Sequence, residues 1–203
     1  LTELIRDNMS ELLSYVETQN LLDELPNEHQ KLVGEVVPNQ ISVGGIQRIL
    51  QNLLNERVSI RDLPTILEGI SEACAFTRNV TQLTEHVRSR LARQISEQNS
   101  TEDNFIPLVT LSAEWEQIFS DSIVDQGEDK QLSMAPSQLQ RFIGAVRTTL
   151  DELANNEDPP VVLTSPLARP FVRSIIERFS PTISIMSQNE LHPKAKIKTL
   201  GQI

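Results

Sequence analysis

Few residues in this 203-residue chain combine the type and spacing that chemistry requires. The single cysteine, Cys74, sits among Ala73, Ala75 and Phe76. That is the setting of a plain buried thiol, and no histidine is placed beside it to make a thiolate nucleophile. His29, His86 and His192 are far apart and share no ligand spacing with Cys74 or with one another. No glycine-rich phosphate loop is present. The nearest approach is a strand-to-helix turn at Thr164-Ser165-Pro166, where helix amides could hold an anion, and an ordinary serine cap accounts for it equally well. The carboxylates fall mostly in polar segments, without the apolar surroundings that raise a pKa for acid–base work. These observations predict no metal, no cofactor and no enzymatic activity.

Arginine is the residue type with a distribution worth following. The chain carries a formal charge of −10, unevenly spread. Residues 1–39 are net −6, residues 40–100 net +1, residues 101–135 net −7 and residues 136–203 net +2. Seven arginines (Arg48, Arg57, Arg61, Arg78, Arg88, Arg90 and Arg93) gather in the near-neutral stretch. They read in three ways: a nucleic-acid-binding helical regulator, a contact surface for an acidic neighbour, or exposed arginines in local pairs such as Glu56 with Arg57 or Glu85 with Arg88. The acidic flanks oppose the nucleic-acid reading, because they repel phosphate.

The elements that position these arginines follow from periodicity. Ile46, Ile49, Leu50, Leu53 and Leu54 mark one buried helix face, and Leu63, Ile66, Leu67 and Ile70 mark another. Asp62 caps the second helix, with Pro64 in its first turn. A polar elbow holding Arg57 and Arg61 joins the two. Gly44 and Gly45 either permit a close backbone approach or set the entry turn. Val80, Leu83, Val87, Leu91 and Ile95 predict one long helix, with Arg88, Arg90 and Arg93 away from most of that stripe. Upstream, Leu1, Ile5, Met9, Leu12, Leu13 and Val16 predict a first helix over Leu1–Thr18. Asn27 restarts the helix after the break at Pro26, and Val36–Asn39 is a non-helical connection.

The polar run 98–104 divides this helical region from a segment of different grammar. Strands are predicted at Phe105–Leu111, Val161–Leu163, Ile183–Met186 and Ala195–Thr199, with helices between them. One helix begins at Ser112, one is striped from Leu139 to Leu153, and one is capped at Ser165 with Pro166 first. Asp125–Lys130 is expected as an acidic surface loop. Strand–helix alternation implies parallel pairing. Lys194, Lys196 and Lys198 alternate along the last strand, as suits an edge that must avoid pairing with other chains. The expected fold class is α+β and mostly helical, a helical unit followed by a small α/β unit with a short mixed, mainly parallel sheet. The expected domains are 1–39 (helical end of a preceding subdomain), 40–97 (helical subdomain), 98–104 (linker) and 105–203 (C-terminal α/β subdomain).

Hydrophobic residues make up 38% of the chain and aromatics 4%, so the core should be Leu, Ile and Val. No run approaches the ~18 apolar residues of a membrane span. One cysteine excludes an internal disulfide and suits a reducing compartment. The chain opens at Leu1 inside an amphipathic pattern, with neither an initiating Met nor a signal peptide, and so reads as part of a longer protein.

The segment "LQNLLNERVSIRDLPTILE" (50–68) closely resembles the FHIPEP family, the flagellar and virulence-type export-gate components of type III protein secretion. "ETQNLLDEL" (17–25), "LTEHVRSRLARQI" (83–95) and "PPVVLTSPLARPFVRSIIERFSPTISIMSQNELHPKAKIKTLGQI" (159–203) resemble the same family in the same order. The run Asn189–Leu191 looks more flagellar than virulence-type. The resemblance implies the end of the cytoplasmic part of a bacterial inner-membrane protein, anchored through an N-terminal region that precedes this chain. It implies a ring of copies, nine in the family's proposed assembly, and docking of export chaperones with their substrates and of other export components. A virulence-type homologue is the alternative within the family. In this light Arg57, Arg61, Arg88 and Arg93 are candidates for subunit or partner contact, and Asp7 and Asn8 for chaperone docking.

Overall fold

The computed structural model describes residues 9–203 except 157, and it divides into two compact units, 1–91 and 92–203. The division therefore falls ahead of the polar run 98–104. Asp7 and Asn8, with the start of the predicted first helix, lie outside the described residues.

The first unit is helical: α1 Met9–Leu12, α2 Tyr15–Asp23, α3 Asn27–Val36, α4 Val43–Asn55, α5 Leu63–Ala73 and α6 Val80–Arg90. Residues 9–39 do not stand apart from the helices that follow, since α1 and α2 both pack on α4. The single helix predicted through Thr18 is broken at Leu13–Ser14. Ser14 caps α2 through Glu17 N at 3.1 Å, and Gln47 and Gln51 on α4 donate to the Leu13 carbonyl at 2.9 and 3.1 Å. The break sends Leu13 inward, and it leaves Leu12 and Val16, both expected on the buried stripe, exposed at 65% and 63%. Pro26, not Asn27, occupies the cap of α3.

The α4 and α5 stripes are buried as their spacing predicts, with Ile46, Ile49, Leu50, Leu53, Ile66, Leu67 and Ile70 inaccessible. Ser42 caps α4 through Gly45 N at 3.1 Å. Asp62 caps α5 through Thr65 N at 3.3 Å, with proline in the first turn. At Gly45 the close approach is by a side chain, a Cβ there lying 2.5 Å from Ile41 Cγ1, whereas at Gly44 it would make ordinary contact with Ser42 Oγ at 3.9 Å. The helix predicted over Val80–Ile95 ends at Arg90, and α7 takes over at Ala92, in the second unit.

The second unit contains α7 Ala92–Gln98, β1 Phe105–Thr110, α8 Ala113–Ser122, β2 Ile123–Gln126, β3 Asp129–Leu132, α9 Pro136–Glu152, β4 Val161–Thr164, α10 Arg169–Ile176, β5 Ile185–Ser187 and β6 Lys196–Gln202. The four-stranded sheet has the order β5-β4-β1-β6, and every pair in it is parallel. Among the described residues antiparallel pairing is confined to β2 and β3. The predicted acidic loop is thus a hairpin, with Gln126 opposite Asp129, Asp125 opposite Lys130, and Gly127 turning at φ +67°. Positive φ at a glycine is what a two-residue hairpin turn requires. The helix predicted from Ser165 begins later, at Arg169, after a turn in which Ser165 Oγ accepts from Ala168 N. Val109, Val162 and Ile185 of the sheet pack with Trp115, Phe119, Phe142, Val146, Val172 and Ile176. Phe142 is the hub, edge-on to Trp115 at 5.2 Å and to Phe119 at 4.9 Å.

Candidate interaction surfaces

Helix α4 ends in a Schellman turn. Val58 N donates to Leu53 O and Arg57 N to Leu54 O, both at 2.9 Å, with Arg57 in the left-handed region at φ +59°. Glycine is the usual residue at that position. Val58 tucks inward beneath the turn, and Arg57 and Arg61 are exposed at the elbow. Arg48 and Arg78 also face solvent.

Arg88 does not face solvent. It is 3% exposed, and its Nη1 lies 3.4 Å from Glu56 Oε2, itself 15% exposed. It therefore pairs with the C-cap of α4, and the pair ties the elbow to α6. Expecting Arg88 on the exposed side of its helix was a misreading of the face. Thr84, Arg88, Leu91 and Ile95 recur at i, i+4, i+7 and i+11, and all are buried. Arg90 reaches Glu68 and Glu72 at 3.5 and 3.6 Å, and Glu72 also contacts His86 Nε2 at 3.0 Å. These pairs cross from α6 to α5, where Gly69 lets the helices close: a Cβ there would lie 3.4 Å from Val87 Cα. Phe76, 69% exposed, stands edge-on to the His86 ring at 5.7 Å. Cys74 is buried, its Sγ 4.0 Å from the Gln40 carbonyl.

In the second unit Arg93 is exposed and paired with Glu97 one turn on, at 2.9 Å. It borders a groove of about 400 Å³ that also includes His192, Lys194 and Lys196. The groove wall is fixed by Ser96, whose Oγ donates to the Glu190 carbonyl and accepts from His192 N, both at 2.9 Å. Glu190 belongs to an ion pair that sequence reasoning missed. Arg169 and Glu190 are each 1% exposed, with Nε and Oε2 3.6 Å apart. Arg169 Nη1 donates to the Ile185 carbonyl, and Glu190 accepts from Ser187 N. The signal was available: Arg169, Val172 and Ile176 share one helix stripe. The turn at Thr164–Ser165 also has its anion already. Glu116 of α8 accepts from Thr164 Oγ1 at 2.8 Å and from Ser165 N at 2.9 Å.

Among the described residues no three of His, Cys, Asp and Glu gather as a metal site. No described helix is long and apolar enough to cross a membrane. The buried charges are consumed in holding elements together, and what remains open is charged and apolar surface suited to protein contact.

The FHIPEP family model matches residues 1–196, and the chain belongs to that family. The flagellar biosynthesis protein FlhA of Caulobacter vibrioides is 52% identical over all 203 residues, and the chain spans 29% of that relative's length. Among solved structures, nonameric EPEC SctV-C superposes with a TM-score of 0.87 at 28% identity, over 100% of this chain and 60% of that one. The Chlamydia pneumoniae CdsV and CdsO complex gives a TM-score of 0.90 at 29% identity, over 100% of this chain and 59% of its match. The family is a component of type III export gates, which is not a known class of enzyme, and the mostly helical fold with a mainly parallel sheet matches that of these neighbours.

Proposed function

We propose that this chain is the C-terminal portion of the cytoplasmic part of an inner-membrane flagellar export gate, and that it works by binding rather than by catalysis. The observation that carries the reading is the 52% identity to a flagellar relative across the whole chain. The virulence-type alternative has its support in neighbours at 28–29% identity. Copies of the chain's parent protein assemble into a ring, a reading favoured by the nonameric neighbour. Arg57 and Arg61 at the elbow and Arg93 on α7 supply charged contacts to an adjacent subunit or partner, whereas Arg88 is committed to Glu56. Export chaperones carrying substrates dock toward the N-terminal helices. Asp7 and Asn8 are candidates there, as are the exposed Leu12, Tyr15 and Val16.

The test is charge reversal of Arg57, Arg61 and Arg93 in the full-length protein, with secretion of flagellar subunits as the readout and melting of the purified fragment as the folding control. Each reversal should reduce export and ring assembly while leaving the melt unchanged, because exposed interface charges act on association. Wild-type export and assembly in all three would remove these arginines from the interface. For docking, Asp7→Lys and Val16→Asp should reduce chaperone capture, and undiminished capture by both would move the site elsewhere.

A further inference from the structure

The second unit is acidic, with 10 Lys and Arg against 15 Asp and Glu between residues 92 and 203. Its last stretch is different. From Leu191 to Ile203 there are three lysines, Lys194, Lys196 and Lys198, and no acidic side chain. Most other cations of the unit are spent on partners: Lys130 on Asp125, Arg141 on Glu114, Arg169 on Glu190 and Arg173 on Glu177. Lys194 and Lys196 are exposed and have no ion pair among the described residues. They line the groove with Arg93 and His192, and the one carboxylate among the described residues of its lining, Glu97, is engaged by Arg93. The unit's exposed lysines without an ion pair among the described residues are thus gathered at one place.

That place is the start of a sheet edge. β6 ends the order β5-β4-β1-β6, so β1 is its sole neighbour in the sheet. Lys196–Thr199 are all exposed. Pairing with β1 runs in regular register from Phe105↔Lys196 to Leu108↔Thr199, and the register shifts beyond it. Alternation puts Lys196 and Lys198 on one face of the strand and Ile197, 54% exposed, on the other. Lys198 leans over the Phe105 ring, its Nζ 5.1 Å from the centroid, which keeps that ammonium on the lysine face.

We propose that this edge docks an acidic segment of a partner protein, bound in extended form as an added strand beside β6. Main-chain hydrogen bonds to the open edge hold the segment, and alternate side chains select it. Carboxylates two residues apart meet Lys196 and Lys198, the residue between them covers Ile197, and a further carboxylate reaches Lys194 in the groove. The recognised pattern is therefore acidic–apolar–acidic. The inference goes beyond ring assembly and is tested without it. A lysine-lined edge also has a purely defensive use, the prevention of strand pairing. The two readings predict opposite results on removing the lysines.

The experiment titrates the 203-residue chain into a fluorescent Ser-Glu-Ile-Asp-Val-Glu-Ser peptide and follows anisotropy. The control peptide has the same composition with its acidic residues in one block. The alternating peptide should bind about tenfold or more tightly than the block peptide, lose affinity with added salt, and slow amide exchange at Lys196–Thr199. The double variant K196E/K198E should weaken it about tenfold or more, and K194E, which lies outside the strand, should weaken it too if the double variant melts early. Equal binding of both peptides, no binding of either, or unchanged binding by K194E would overturn the proposal. So would a folded K196E/K198E that gains self-association in sedimentation without losing the peptide, because the lysines would then be guards.

Discussion

Replacing Arg88 with methionine tests whether the elbow is held by a buried charge pair. Methionine keeps most of the aliphatic stem and removes the guanidinium. Glu56 would then stay 85% covered, to judge from its present 15% exposure, with its cation gone. Breaking one side of a buried pair costs about 3–5 kcal/mol, because the surviving charge keeps its lost hydration but not the cation that offset it. Against a total of about 5–15 kcal/mol for an ordinary domain, that is a large fraction. At about 2–4 °C per kcal/mol for a chain of this size, the melt should fall by about 6–20 °C. Far-UV circular dichroism in urea is the appropriate signal for this helical unit, since the only tryptophan, Trp115, lies in the other one. The double variant Arg88→Met/Glu56→Leu should recover most of the loss, since no stranded carboxylate remains. A loss below about 1 kcal/mol in Arg88→Met would mean that water screens the pair as it does a surface one. No recovery in the double variant would mean that Arg88 acts through packing. Either result would refute the reasoning.

Gly45→Ala should destabilise by about 1–3 kcal/mol, measured by urea unfolding, because the new methyl meets Ile41 where α4 begins; Gly44→Ala should not. Arg57→Gly should raise stability by up to about 1 kcal/mol in the same assay, since the left-handed turn strains any residue with a Cβ; a loss instead would show that the arginine side chain outweighs its backbone. Leu50→Ala and Leu53→Ala should each cost about 2–5 kcal/mol, as fully buried positions in mid-stripe; losses below about 1 kcal/mol would show that this face collapses around the cavity.

Local order was legible because its causes are local. The stripe of α4, the Asp62 cap with Pro64 behind it, the strands at Val161 and Lys196, and the exposed lysine edge all rest on residues a few positions apart. The wording of 50–68 and 159–203 also pointed to the family. Tertiary structure decided what depends on residues distant in sequence. Two glutamines of α4 hold the break at Leu13, which turns Leu12 and Val16 outward where periodicity alone would bury them. Glu56 draws Arg88 inside, and Glu190 does the same to Arg169. A charge is buried only where a partner waits, and periodicity registers that a position faces inward without saying what it will meet there. The acidic run at Asp125–Lys130 became a hairpin because Gly127 can turn it, while its charge and polarity suggested only solvated loop. The place where the cationic groove forms was settled last of all, since Arg93 and Lys194 belong to opposite ends of the second unit and meet only once β6 has crossed back to pair with β1.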